Sequence, residues 1–198
     1  MDIRAIYRFL LPDMHLNKSL RILITLNTGM TFIIGVFAPF YAVYVQEVGG
    51  DIAFAGFAWA VMQIVSGVLT IFFTRWSLRV HEQELLLALG YLLRAGVFLS
   101  YAFMDSMGQL ILTQVVWGIA AAIGVPAFDA IYSGHTTKDE SIGQWGGWEG
   151  IAGIAAGVAA LLGGFIIQAF GFQPMFFAMA AVAFFLALYI WLLPREVL

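Results

Sequence analysis

The stretch ALGYLLRAGVFLSYAF, Ala88 to Phe103, decides the fold. It is apolar throughout except for Arg94 and shows no two-residue alternation. A membrane barrel strand alternates over about 10 residues. An unbroken apolar run of this kind reads instead as a helix in hydrocarbon. Crossing roughly 30 Å at about 1.5 Å per residue takes about 20 residues. Windows of that length recur six times, near 21–45, 52–73, 85–104, 109–132, 145–170 and 174–193. The expected fold is an all-α membrane protein of six transmembrane helices.

Composition points the same way. Hydrophobic residues make up 62% of the 198 and charged residues 11%, and the mean hydropathy is +0.93. A soluble domain carries about 25% charged residues. The net charge of −3 is spread over short connectors and forms no basic stripe, so no nucleic-acid partner is expected. With no cysteine there is neither a disulfide framework nor thiolate chemistry. Met1 to Ser19 carries charges throughout and does not resemble a cleavable signal. Its Ile3, Ile6, Phe9 and Leu10 at helical spacing fit either an interfacial helix or a solvated lead-in.

Connector charges set the topology. Arg4, Arg8, Lys18 and Arg21 precede span one, Arg75 and Arg79 follow span two, Lys138 follows span four and Arg195 follows span six. The opposite connectors hold Glu47, Asp51 and Asp105 and no cation. The positive-inside rule therefore predicts cytoplasmic termini, as in a multi-pass protein of a prokaryotic inner membrane.

An internal repeat is also expected. APFYAVY at 38–44 closes span one, and VPAFDAIY at 125–132 closes span four. Ala42-Val43-Tyr44 falls on Ala130-Ile131-Tyr132 at a shift of 88. A similar shift brings span two onto span five and span three onto span six. Three is odd, so the second copy enters the membrane upside down, a recurring construction in secondary transporters. The expected organisation is a 1–20 interfacial segment, a first three-helix repeat over 21–104 and a fourth helix opening the second repeat over 105–133. A cytoplasmic loop over 134–144 follows, then the last two helices and a short tail over 145–198.

The six-span pattern resembles one half of a major facilitator superfamily transporter from about Asn17 to Pro194. The resemblance rests on Pro39-Phe40-Tyr41, on TRWSLR at 74–79, and on LLGGFIIQAFGFQPMFF at 161–177. In the family the loop after span two carries an acid and a glycine between basic residues. Thr74 and Ser77 replace them here, and Arg75 and Arg79 keep the basic character. A Gly-Pro pair that marks antiporters before the double glycine is Ala159-Ala160 in this chain. Family members usually hold two halves. The resemblance therefore implies a parallel homodimer about an axis along the membrane normal. A fragment of a twelve-helix transporter, or a half that needs a different partner, is the competing reading.

Polar groups inside the spans are the site candidates. A charge at bilayer centre costs on the order of 3 kcal/mol, so Arg94 is expected to be answered by an acid. Helix side chains lean toward their own N-terminus, which brings Arg94 and Asp129 toward one depth. Glu149, in WGGWEG, is a second candidate partner. Such a cluster is either a structural ion pair or, with two carboxylates on one cation, a proton carrier centred on Glu149. Asn27, Thr31, Tyr41, Gln63, Gln114 and Trp117 are the substrate-cavity candidates; each alone is as readily interhelical glue. Gly150, Gly153, Gly157, Gly163 and Gly164 are expected to let span five pack closely on a neighbour.

His15, His81 and His135 stand apart in connectors, and no Gly-Lys-Ser/Thr phosphate loop is present. Hence no metal, no cofactor and no nucleotide-driven pump are expected. An intramembrane enzyme would need an acid pair that the neighbouring cation disfavours. The reading is a half transporter, surrounded by membrane lipid and partnered by a second copy of itself, that moves an unidentified small solute by alternating access with proton coupling. A non-transporting membrane scaffold is the alternative.

Overall fold

The computed structural model describes residues 16–77, 80, 82–194 and 197, with the side chains of 74–77 left aside. Seven α-helices make up nearly all of it, and no strand occurs among the described residues. They are α1 (Lys18–Phe37), α2 (Tyr41–Glu47), α3 (Ile52–Ser77), α4 (Gln83–Tyr101), α5 (Met107–His135), α6 (Ser141–Phe170) and α7 (Phe172–Leu192). Among the described residues six spans are long and apolar enough to cross a membrane: Lys18–Glu47, Ile52–Phe73, Gln83–Tyr101, Met107–His135, Ser141–Phe170 and Phe172–Leu192. The six expected windows coincide with these spans.

The ends of the helices are set locally. Asn17 caps α1 by accepting from the Leu20 N–H at 2.8 Å, and its amide donates to the His135 carbonyl at 3.0 Å, tying α1 to the end of α5. Asp51 accepts from the Phe54 N–H at 2.7 Å at the start of α3, and Ser106 caps α5. These side chains satisfy amides that a helix start leaves unpaired. Gly171 alone joins α6 to α7, with φ +78° and ψ −178°, a conformation essentially restricted to glycine.

Span one is broken. Helix α1 ends at Phe37, a tight turn covers Ala38–Phe40, and α2 restarts at Tyr41. Pro39 in that turn cannot donate a helix hydrogen bond. The matching Pro126 lies inside α5, which continues past it. The two prolines that mark the sequence repeat thus have different local effects.

Packing forms two layers. Helices α3, α5, α1 and α6 make a row in that order, and α4 and α7 lie behind it, with α4 against both α5 and α7. Close backbone approaches hold the row together and join it to the layer behind. A Cβ on Gly90 of α4 would lie 2.7 Å from the Gly124 Cα of α5, and one on Gly118 of α5 would lie 2.7 Å from the Met62 carbonyl of α3. On α6 a Cβ at Gly163 would run into the Val36 carbonyl of α1, and the Gly35 position of α1 lies against Ala156 and Ala159. Backbones that approach this closely gain dispersion and weak C–H contacts, the main source of helix association in lipid.

The expected role of the span-five glycines therefore divides. Gly163 packs against α1, and Gly164 meets the Phe40 ring. Gly150, Gly153 and Gly157 are exposed, with open space where a side chain would project. Ala152, Ala156 and Ala159 with Gly163 supply the packed stripe instead. The reason is rotation: at about 100° per residue, Gly157 and Gly150 stand roughly 120° and 140° around the helix from Gly163.

Near the break in span one lies a buried aromatic cluster. Phe37 is fully buried, and its ring centroid lies 4.9–6.3 Å from those of Tyr41, Tyr44, Tyr101, Phe172 and Phe176. The edge-to-face geometry of most of these pairs aligns positive ring edges with negative faces. This cluster fastens α2, α4 and α7 together.

The expectation of an interfacial helix at the N-terminus falls on residues 1–15, outside the described residues. The same holds for the loop candidates, the side chain of Arg75 and all of Arg79.

Candidate functional site

The site begins with Arg94. It projects from α4 with only 7% of its surface exposed. Its Nε is enclosed without a hydrogen-bond partner, and its nearest electrostatic neighbour is the Tyr91 ring, 5.9 Å from the guanidinium carbon. Tyr91, three residues earlier, lies on the same helix face. Its hydroxyl is buried beside the Asn27 side chain without closing a hydrogen bond of normal geometry. Asn27 Oδ1 in turn accepts from the Trp148 indole N–H at 3.3 Å and from the Thr31 hydroxyl at 3.3 Å. Helices α1, α4 and α6 thus converge on Asn27.

The expected acids are elsewhere. Among the described residues no carboxylate lies within ion-pair distance of Arg94, and Asp129 and Glu149 are both exposed. The ion pair expected from the sequence is therefore absent. Its absence follows from where α4 and α5 cross. Gly90 meets Gly124 at the crossing; Arg94 is four residues to one side and Asp129 five to the other. At about 1.5 Å per residue the two stations lie about 13 Å apart along the bundle, beyond the reach that side-chain lean provides. Glu149 follows Trp148, whose indole faces α1, but Glu149 itself is exposed and holds no partner among the described residues.

The cavity candidates separate into two groups. Gln114 is fully buried, and its amide donates to the Tyr41 hydroxyl at 2.5 Å and the Tyr101 hydroxyl at 3.1 Å. The Tyr44 hydroxyl closes the network on the Tyr101 carbonyl at 2.8 Å. Trp117 packs beside it, 6.0 Å from the Tyr101 ring. Tyr41, Gln114 and Trp117 are thus enclosed in the interior of the unit, Gln114 bonded to Tyr41 and Trp117 packed on the Tyr101 and Phe98 rings, as in a structural network. Gln63 is exposed near the midpoint of its span. It lies one turn from Trp59, whose ring is 5.6 Å from that of Tyr41, so this stripe of α3 turns toward span one. Asn27 and Thr31 are half-buried.

Sequence reasoning missed Tyr91 and Trp148. The i, i+3 spacing of Tyr91 and Arg94 was the available signal for the first. No comparable signal marked Trp148, because its contact with Asn27 spans 121 residues of chain. The larger hollows described lie apart from Arg94. One, of about 730 Å³, lies between helix ends and includes Tyr44, Glu47, Asp105 and Gln173. The other, of about 520 Å³, runs between Leu26 of α1 and Leu186 of α7 and is almost wholly apolar, as a lipid-facing groove would be.

A search of curated protein sequences gives no match. A family model described as Major Facilitator Superfamily matches residues 22–197. That match runs from the beginning of α1 past the end of α7 and takes in all six spans, so this transporter-type membrane protein belongs to the major facilitator superfamily.

Proposed function

We infer that the chain is a secondary transporter unit in which spans 1–3 and 4–6 are inverted repeats, with both termini cytoplasmic. Its pathway runs along the α3·α5·α1·α6 row and is closed by a second copy lying parallel to the first. One observation carries the reading: polar side chains stand exposed on the row, in helices that cross hydrocarbon. Gln63 is exposed at mid-span, Glu149 is exposed on α6, and Asn27 and Thr31 are half-buried. Lipid disfavours such groups, which are ordinarily covered by protein or water. Spans two and five are also the least covered, with 17% of each buried. They are mates under the repeat. The packing supports the repeat too, since span two pairs with span four as span one pairs with span five.

Flux and mass test the reading. Native mass measurement of the nanodisc-embedded protein is expected to find two copies, and proteoliposomes are expected to accumulate solute down an imposed ion gradient. A single copy that carries no flux for a broad solute panel overturns it in favour of the scaffold reading. Proton coupling, in this account, belongs to Glu149. Glu149→Gln is expected to remove the pH dependence of uptake, and unaltered pH dependence would assign the proton elsewhere.

A further inference from the structure

Arg94 is the one charge the fold encloses without an answer among the described residues. Its surroundings differ from those of a structural arginine. Such a residue donates to carbonyls or carboxylates; Arg94 donates to no residue among the described ones. Only Nε is both unpartnered and fully enclosed, so the Nη nitrogens, equally unpartnered, hold the remaining accessible surface. One turn back on α4, Gly90 lies against Gly124 of α5, whereas Tyr91 lies against Asn27 of α1. Arg94 therefore stands behind the place where α5 and α1 make their sparse contact.

From this geometry we propose that Arg94 is the recognition residue for an anionic solute, a carboxylate with an apolar body, that enters between α1 and α5. This rests on the transport reading above and names its substrate class. A guanidinium presents parallel N–H donors that match the two oxygens of a carboxylate. The unpaired Tyr91 hydroxyl supplies a further donor beside it. The apolar body has a place as well: Trp148, half-buried next to Asn27, has its ring 5.1 Å from that of Phe128. A cation kept in the bundle without an acid is costly when empty and strongly favourable when an anion arrives. That asymmetry makes binding selective for charge.

Trp148, one of six tryptophans, contributes an emission signal beside the proposed site. The purified full chain in nanodiscs is titrated with benzoate, with inorganic phosphate and with neutral benzamide at constant ionic strength, reading tryptophan fluorescence and the thermal midpoint. Saturable benzoate binding is expected, at least tenfold tighter than that of benzamide or phosphate. Arg94→Gln should weaken benzoate at least tenfold, and Arg94→Lys should retain part of the affinity. Tyr91→Phe keeps the ring, so it serves if the Gln variant does not fold; it should weaken benzoate severalfold and leave benzamide unchanged. Equal binding of benzoate and benzamide, no saturable response to benzoate, or full benzoate affinity in Arg94→Gln would each overturn the proposal. Tighter phosphate than benzoate would also do so, moving the site to inorganic anions. Failure of transport is separable: benzoate binding without flux keeps the anion site and removes the transporter. Flux of a neutral solute that survives Arg94→Gln does the reverse.

Discussion

Replacing Gly163 by leucine is expected to separate α6 from α1 and to abolish a stable folded unit. Even a methyl group at this position would run into the Val36 carbonyl. A backbone atom cannot rotate aside as a side-chain tip can, so the helices themselves must part. Overpacking of a tight contact ordinarily costs 1–3 kcal/mol, and more when the obstacle is rigid. Here the cost should reach about 3 kcal/mol or above, because separation also gives up the Gly35 approach to Ala156 and Ala159. Thermal unfolding in detergent, followed by far-ultraviolet circular dichroism and size-exclusion profile, reads the effect. Gly157→Leu on the same helix is the matched control. Its side chain would enter open space, so the single unit should keep its stability within about 0.5 kcal/mol. An equal loss at both positions would show that the cost comes from glycine replacement in α6 generally, and not from contact with α1.

Phe37→Ala has the second largest expected effect. In a soluble protein the loss would combine transfer of the ring out of water with the cavity left behind. In lipid the unfolded helices are already in an apolar medium, so the transfer part largely drops out. The cavity part remains: at about 24 cal/mol per Å³, the roughly 100 Å³ removed corresponds to about 2.4 kcal/mol. Five aromatic neighbours lose a ring contact at the same time, four of them edge-to-face. A drop in thermal midpoint well beyond that of Phe72→Ala is expected, since Phe72 is 67% exposed. Equal effects at the two positions would exclude a packed aromatic centre.

The six spans were legible in the sequence because hydrocarbon thickness imposes a length that a run such as Ala88–Phe103 meets or fails. Depth was legible only in part. Side-chain lean correctly brings Arg94 and Asp129 toward each other, but by a few ångströms, and their separation depends on Gly90 and Gly124 marking the crossing. Nothing in a one-dimensional pattern identifies that pair among so many glycines. Facing was less legible still. Small-residue spacing singled out Gly150, Gly153 and Gly157 together with Gly163, yet the rotation of α6 is fixed by contacts with α1 such as those of Gly163 with Val36 and of Ala156 and Ala159 with Gly35. The same limit hid the Gln114 network: a glutamine in a span reads alike whether it meets a solute or two tyrosines.

The interleaved pairing of the spans bears on how the chain is made. Helix α3 leans chiefly on α5, and α1 on α6, so the earliest spans find their main neighbours only after later ones have been synthesised. During translation the first three helices would wait in the bilayer with little to hold them, then lock in quick succession as the fourth and fifth emerge. Long-range closure of this kind slows assembly and leaves nascent intermediates open to wrong neighbours. A ribosome-bound chain halted after Tyr101 should accordingly stay protease-sensitive and loosely arranged, and one extended past Phe170 should become resistant.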